Sequence, residues 1–480
     1  MKMKNLRALF LIVLASISVV SCFEDEDDLG LAANEINDFV WKGMNAFYLY
    51  KDNIPNLAND RFRSNADYTD YLNSFSSPEM LFESLKYEPE VVDRFSRIYS
   101  DYFALEQLFQ GTSTTNGMEF DLFFSPNTNQ TEVIGIVRLV LKDSNSDLQG
   151  LKRGDIFYAI DGNVLTENNF PSLLNQNNYT LNLGVLNDQG TPDRSDDTIE
   201  PLTESVSLSK SQYTENPVYQ TNIFNIGGDN IGYLVYNEFN ANFESELNNA
   251  FGEFKSNNIQ HLVLDLRYNP GGRVSTGTFL ASMITGQFTG EVFSKVIYNE
   301  NLQEANNIYN FTTKIENGNT INSLNLQKLY VLTTGKSASA SEGLINGLNP
   351  YIEVVQIGTN TIGKTQASII IYDSADFQRE NANPNHTYAM QPLVANAVNK
   401  NDMAVPGTGL IPSLGFELEE DPFNYGVLGD VNETLLAVAL ADISSSTSKL
   451  TAIKSRAKTP LKHIKDSNDF NPFEGGMLID

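Results

Sequence analysis

Residues 329–343 read LYVLTTGKSASASEG, and this stretch decides how the chain folds. Its apolar start predicts a buried strand, its Gly/Ser/Ala run predicts a tight turn, and the residues up to Asn349-Pro350 predict a helix. Such a turn lifts a serine hydroxyl to a helix N-terminus, where backbone N–H groups lack partners and can bind an oxyanion. Ser339 is therefore a candidate nucleophile.

A serine nucleophile needs a base, and Lys364 is the candidate. A second apolar strand, 352–357, leads through two glycines to this lysine, so the ends of two neighbouring strands can meet there. A lysine serves as a base if burial lowers its pKa from about 10.4 towards neutrality. Of the three histidines, His463 lies in a polar tail and His261 precedes a predicted buried strand, so neither is placed as a triad member.

The same serine has a second interpretation. Ser339-Ala340-Ser341-Glu342 matches the S-x-x-E capping box, a common way for a helix to begin. The two interpretations are compatible, because a capping residue can also carry a reactive hydroxyl. The sequence around the turn has to decide between them.

Two further stretches give that context: residues 262–272, LVLDLRYNPGG, and residues 357–364, IGTNTIGK. The first predicts a buried strand followed by a bend whose glycine amides carry no neighbouring Cβ. Together with Ser-Ala-Ser-Glu, these motifs resemble the signature of the carboxy-terminal processing peptidases, family S41 of the serine peptidases.

The resemblance implies a role for each matching residue. Ser339 corresponds to the nucleophile and Lys364 to its general base, whereas Ser337 and Ser341 do not match. The oxyanion hole is implied to pair the backbone N–H of Gly271 or Gly272 with that of Ala340. No metal or organic cofactor is implied.

One position departs from the family pattern. Several members carry a glutamine four residues beyond the lysine, where this chain has Ser368, and Gln366 stands two residues earlier. A serine hydroxyl can donate or accept a hydrogen bond. We therefore expect Ser368, or Gln366, to support the amine of Lys364.

The fold class is predicted to be α/β, because strands and helices alternate through the region that carries the motifs. The family resemblance implies a spiral ββα core like that of the crotonase and Clp protease superfamily, an inserted PDZ-like β-rich domain and an N-terminal helical cap. With 480 residues, the chain is long enough for two or three domains. The predicted boundaries are 1–21 for a signal peptide, 22–32 for an acidic tether, 33–104 for the helical cap, 105–212 for the PDZ-like domain, 213–441 for the catalytic domain and 442–480 for a flexible polar tail.

The PDZ-like domain is recognised from residues 148–162, LQGLKRGDIFYAIDG, which resemble a bacterial PDZ run. PDZ domains bind an extended peptide as an added strand. In the circularly permuted bacterial version, the carboxylate loop and binding strand are expected at Gly117, Met118, Glu119 and Phe120. A module of this shape that packs without binding peptide is the alternative.

The amino terminus predicts export. Lys2, Lys4 and Arg7 precede the apolar run 8–20, which has the layout of a signal peptide and is too short for a membrane span. Cys22 is the only cysteine, and its position resembles a lipobox, in which the cysteine becomes lipidated. The acidic run 24–28 that follows resembles a signal for the outer surface of the outer membrane. A lipid-anchored envelope protein, periplasmic or surface-exposed, is expected.

The net charge of −28, from 32 basic and 60 acidic residues, argues against nucleic acid as a partner. Protein or peptide substrates and the membrane are the expected partners. The function predicted is that of an envelope serine endopeptidase with a Ser-Lys dyad. The alternative is a catalytically latent surface lipoprotein that binds peptides or proteins.

Overall fold

The computed structural model describes residues 35–126, 128, 130–191, 193–445, 461–470 and 478–479. The predicted signal peptide, Cys22 and the acidic tether lie outside these residues, so the structure does not bear on them. Within the described ranges, none of the helices combines the length and the apolar character that crossing a bilayer requires.

The first folded region is helical, as its spacing of apolar residues predicts. Ser64 and Ser77 begin two of its helices by accepting hydrogen bonds from the amides of Asp67 and Met80. Buried aromatic and aliphatic side chains from these helices form one core. The elements are α1 (Glu35–Phe47), α2 (Asn65–Asn73), α3 (Pro78–Ser84), β1 (Arg97–Tyr99) and α4 (Tyr102–Phe109).

The second region is a β-rich module around an antiparallel sheet. Its elements are β2 (Thr112–Thr115), β3 (Met118–Phe124), β4 (Val133–Val140), α5 (Asn145–Leu148), β5 (Ile156–Ile160), β6 (Asn163–Val164), α6 (Phe170–Leu174), β7 (Asn178–Asn187), β8 (Thr198–Ser209) and β9 (Ser211–Thr214). Strand order is β3-β4-β5-β7-β8, with β6 on β5, while β2 pairs with β9 and closes the module. The Asp161-Gly162 turn joins β5 to β6 with positive φ at both residues, as a two-residue hairpin requires.

The third region contains the main sheet, in the order β10-β11-β12-β15-β16. Its first elements are β10 (Val218–Ile226), β11 (Asp229–Tyr236), α7 (Glu244–Ser256), β12 (His261–Asp265), α8 (Val274–Ile284), β13 (Val292–Tyr298), β14 (Asn307–Asn310), β15 (Lys328–Thr333), α9 (Ala340–Leu348) and β16 (Glu353–Gly358). Strands β11, β12, β15 and β16 run parallel. Helices α7, α8 and α9 pack on one face of the sheet, which explains the near-continuous apolar runs of its central strands.

The remaining elements are β17 (Gln366–Ser368), β18 (Ile371–Tyr372), β19 (Ala389–Gln391), β20 (Leu393–Asn399) and α10 (Thr434–Ile443). Helix α10 covers the other face of the main sheet with Leu435, Leu436 and Leu440. A second sheet runs β14-β13-β20-β17, and a third, β1-β19-β18, joins the N-terminal region to this part of the chain.

The prediction that 442–480 is a flexible polar tail is wrong for its described part. Helix α10 ends at Ile443, and residues His463–Asp466 form a strand, β21, followed by a short 3-10 helix, Ser467–Phe470. Strand β21 pairs antiparallel with β3, which is otherwise the free edge of the middle sheet. Composition alone misses this, because an open sheet edge can order a polar segment through main-chain hydrogen bonds.

Candidate active site

The carboxyl ends of three adjacent parallel strands carry the predicted site. Strand β12 pairs with β15, and β15 pairs with β16. Each strand is followed by one of the motifs: Gly271-Gly272 follows β12, Ser339 follows β15 and Lys364 follows β16. Because the strands are parallel and adjacent, their three following loops meet at one edge of the sheet. The structure thus brings the predicted residues together.

Ser339 is the residue immediately before α9 and is fully buried. Its backbone has φ 61° and ψ −114°, a conformation that costs a non-glycine residue free energy. Its Oγ lies in a capping box opposite the amide of Glu342, and its hydroxyl donates to no acceptor among the described residues. In contrast, the hydroxyls of Ser337 and Ser341 donate to the carbonyls of Leu266 (2.7 Å) and Asn269 (3.1 Å). Within the part of the chain that the structure describes, Ser339 is the one serine of this turn whose hydroxyl donates to no acceptor.

The glycine bend after β12 lies directly against the serine. A Cβ on Gly271 would stand 2.5 Å from Ser339 Cβ and 2.9 Å from the amide nitrogen of Ala340, and Gly271 has φ +112°. Only glycine fits there. The Gly271 amide donates to Asn269 Oδ1 at 2.8 Å. The amide of Ala340 belongs to the first residue of α9 and therefore has no acceptor within the helix.

Glu342 connects the serine turn to the lysine loop. Its Oε2 accepts the amides of Ser339 (2.7 Å) and Lys364 (2.9 Å). Its Oε1 accepts the amide of Gly363 (2.7 Å) and the hydroxyl of Thr361. Burial raises the pKa of this carboxyl, although the four donors oppose the shift. The S-x-x-E signal predicted the first of these contacts but not the other three.

The N-terminal region contributes two contacts that the sequence did not predict. Lys364 is buried, and its Nζ lies 4.9 Å from the centre of the Phe95 ring. The neighbouring Arg94 guanidinium donates to the carbonyls of Ile362 (3.1 Å), Gly363 (3.3 Å) and Gly407 (3.1 Å). No local motif marks these residues, because they lie far from the lysine in sequence.

Ser368 and Gln366 take part in two separate contacts beside the lysine loop. The Ser368 hydroxyl accepts a hydrogen bond from Gln391 Nε2 at 2.9 Å, and Gln391 Oε1 accepts one from the hydroxyl of Tyr99 at 3.0 Å. Gln366 Nε2 donates to the hydroxyl of Tyr50 at 2.9 Å. Gln391, which sequence reasoning did not single out, is therefore part of the buried polar structure around Ser368.

A buried ion network ties the glycine bend to the middle module. Arg267 contacts Asp265 (2.8 Å), Glu420 (2.8 Å) and Glu433 (2.8 Å). Arg153 of the middle module contacts the same Glu420 at 2.7 Å and donates to the Tyr268 hydroxyl. Burial alone would raise the pKa of Glu433, but Arg267 holds it below its ordinary value. The network fixes the two residues that precede Asn269 and the bend.

The four residues expected to bind peptide lie at the start of β3. Gly117, with φ +85°, precedes the strand, and a Cβ there would meet Ser144 at 2.1 Å. Glu119 lies 3.2 Å from Arg138, and its pKa is raised by burial. The Phe120 amide donates to Ser467 Oγ at 3.3 Å, so this part of the strand touches the end of the chain.

Comparison with known families agrees with this architecture. The family model described as Peptidase family S41 matches residues 230–372, a range that contains the glycine bend, the serine turn and Lys364. The model described as Peptidase S41 N-terminal domain matches residues 35–97, which include Arg94 and Phe95. Two parts of the chain, residues 35–97 and 230–372, are thus similar to peptidase family S41.

Individual relatives point the same way. A solved structure of a protein from Bacteroides fragilis NCTC 9343 assigned to the S41 proteases superposes with a TM-score of 0.69 at 25% identity, covering 85% of this chain and 97% of that one. The carboxyl-terminal-processing protease of Picosynechococcus sp. is 26% identical over 253 residues, 52% of this chain and 54% of the relative. That of Synechocystis sp. is 25% identical over 257 residues, 53% and 54% of the two chains. The chain therefore spans about half the length of the curated relatives it matches.

Proposed function

We propose that the protein is a serine endopeptidase that cleaves peptide bonds in protein substrates with Ser339 as nucleophile and Lys364 as general base. The observation that carries the proposal is the buried hydroxyl of Ser339, which donates to no acceptor among the described residues and is held in a strained turn against Gly271. A capping hydroxyl accepts from a helix amide, so its own proton remains available to a base. The S41 relatives support the same reaction class.

The proposed reaction proceeds through an acyl-enzyme. Ser339 Oγ attacks the carbonyl carbon of the scissile bond while its proton passes to the neutral amine of Lys364. Because the Gly271 amide already donates to Asn269, we assign the oxyanion to the amides of Gly272 and Ala340. The carbon–nitrogen bond then breaks, and the leaving amine takes the proton from Lys364. A water molecule hydrolyses the ester with the lysine again accepting a proton.

The structure also supports finer parts of the proposal. The middle module, with the β3 edge on which β21 pairs and the Asp161-Gly162 hairpin, is assigned as PDZ-like and engages extended or carboxy-terminal segments of substrates. The core that carries the dyad is assigned to the spiral ββα type. The basic and apolar amino terminus and Cys22 support export and a lipid anchor in the outer membrane, facing either the periplasm or the surface.

The test is cleavage of an unstructured protein by the form that begins after Cys22, beside Ser339→Ala and Lys364→Ala. Ser341→Ala is the matched control, because Ser341 is buried in the same turn but its hydroxyl is already bound to a carbonyl. We expect Ser339→Ala and Lys364→Ala to lose cleavage and Ser341→Ala to retain most of it. The cleavage rate of wild type should rise with pH as a single group, the amine of Lys364, loses its proton. A serine-reactive probe that labels Ser339→Ala as strongly as wild type would show that Ser339 is not the nucleophile. A probe that leaves wild type unreacted would favour the binding-protein alternative.

A further inference from the structure

The end of the chain occupies two places where a peptide substrate would bind. The first is the edge of β3, where Asp466, Lys465 and His463 pair with Asp121, Leu122 and Phe123 in antiparallel register. PDZ-type sites take their ligands as an added antiparallel strand of this kind. The segment thus fills the open edge of the middle module from within the same molecule.

Side chains of this segment also fill the apolar groove beside β3. The Phe470 ring lies 5.9 Å from that of Phe120 on β3 and 6.0 Å from that of Phe170 on α6. Ile464 packs on the same core. An aromatic side chain lodged between strand and helix is how a peptide anchors in such a groove, so the contact resembles that of a ligand.

The second place is beside the dyad. Leu478 is buried, its amide donates to the carbonyl of Gly272, and its carbonyl accepts the amide of Val274, both at 3.2 Å. On the other side, the Ile479 amide donates to the carbonyl of Ser368 at 3.2 Å. Leu478 therefore lies in extended pairing between two stretches of backbone, next to the bend that contacts Ser339.

The side chain of Ile479 sits in an apolar pocket. Two small clusters contact it, formed by side chains of α8, β13, β17 and β20: Val274, Val296, Ala367, Val394, Ala395 and Ala397. These residues are small or branched and present no charge. A pocket with this lining suits a branched aliphatic side chain and excludes a charged one.

A salt bridge couples the tail to the nucleophile turn. Lys336, three residues before Ser339, contacts Asp466 of the tail and Asp121 of β3 (2.8 Å). Arg138 also lies 3.7 Å from Asp466. The same charge cluster therefore contacts both the tail segment on the β3 edge and the turn that carries Ser339.

From this geometry we infer that the carboxy-terminal segment is an intramolecular ligand of the peptide-binding site, which lowers activity until a substrate displaces it. The inference rests on the proposed function and adds a specificity: an extended peptide that places a branched aliphatic residue in the Ile479 pocket and an aromatic residue in the β3 groove. Substrate and tail need the same main-chain groups of Gly272 and Val274, so they exclude each other. A covalently attached ligand competes at an effective concentration of about millimolar.

The test compares the chain that begins after Cys22 with its Phe470→Ala/Ile479→Asp variant. Leu414→Asp is the control, because Leu414 is an almost fully exposed aliphatic residue. One measurement is cleavage of an unstructured protein. The other, made in the Ser339→Ala background so that no turnover interferes, is fluorescence anisotropy of a labelled peptide with the sequence of residues 461–480.

We expect the tail variant to bind the peptide at least about tenfold more tightly than wild type and to raise kcat/KM at least about tenfold, since both lost side chains are packed in apolar surroundings. The control should match wild type in both. Equal peptide affinity of variant and wild type would overturn the inference, and cleavage by both would then leave the proposed function standing. If the tail variant binds the peptide more tightly than wild type but no form cleaves protein, the tail would still be the occupant of the peptide-binding site, and the proposed function would be overturned.

Discussion

Replacing Glu342 by glutamine tests whether one carboxylate holds the two residues of the proposed dyad in place. The side chain accepts four hydrogen bonds, two on each oxygen. Glutamine offers one accepting oxygen, and its least costly orientation turns the NH2 group towards Thr361, whose hydroxyl can rotate and accept. The amide of Gly363 then faces a donor.

The cost follows from these contacts. One buried N–H without an acceptor costs about 1–3 kcal/mol, and two charge-assisted hydrogen bonds become neutral ones at about 1 kcal/mol each. We therefore expect Glu342→Gln to lower the free energy of unfolding by about 4 kcal/mol. Displacement of Gly363 also moves Lys364, and misplacement of a catalytic group by about 1 Å can cost 100-fold in kcat.

The assay is urea unfolding at neutral pH together with kcat on an unstructured protein. Glu353→Gln is the matched control, because that carboxylate is exposed and forms a surface ion pair with Lys328, so its loss should cost less than about 1 kcal/mol. Because burial raises the pKa of Glu342, the folded state takes up a proton more readily than the unfolded state, so wild type should gain stability as pH falls and its difference from Glu342→Gln should widen. A Glu342→Gln protein within about 0.5 kcal/mol of wild type at neutral pH would refute the reasoning.

Three further predictions concern other parts of the structure. Gly271→Ala should abolish cleavage, because the new Cβ stands 2.7 Å from Ser339 Oγ, whereas Gly290→Ala, which also has positive φ but no close neighbour, should lose only stability in a melting experiment. Arg153→Ala should lower the free energy of unfolding by about 3–5 kcal/mol by leaving part of a buried ion network uncompensated, with the exposed Lys152→Ala near wild type in urea. Burial and the charge of Glu119 raise the pKa of Glu215 from 4.5 to about 8, so the folded state keeps a proton that the unfolded state loses. Stability should therefore fall as pH rises through this window, and Glu215→Gln should flatten that fall in unfolding curves taken at both ends; an unchanged slope would contradict the assignment.

Local signals were enough to predict the central strands and the serine turn. The apolar runs before Asp265 and Thr333 correspond to β12 and β15, and the turn before α9 lies where the Gly/Ser/Ala run predicts it. Element bounds differ slightly from the predicted ones: the strand predicted over 352–357 is β16, Glu353–Gly358. These features could be predicted because the spacing of apolar residues, the turn residues and the helix caps depend on residues that are close together in the chain.

The features that sequence reasoning did not predict are the ones that depend on distant partners. Gln391 meets Ser368 only because β19 and β17 come together in the folded chain. The polar composition of residues 461–470 favours a flexible tail, yet pairing with an open edge orders them. Main-chain pairing and side-chain contacts with carbonyls leave no periodic trace, so composition cannot reveal them.

The hydrogen bonds from Arg94 to the loop before Lys364 have a practical consequence for the design of shorter fragments of the chain. The predicted catalytic domain, 213–441, contains both residues of the proposed dyad. The guanidinium that binds the lysine loop and the ring beside the lysine come from residues more than a hundred positions before that domain. A fragment cut at the domain boundary would contain Ser339 and Lys364 but would lack the hydrogen bonds from Arg94 to the loop that precedes Lys364. We therefore expect the shortest active fragment of this chain to include the helical region that contains Arg94 and Phe95.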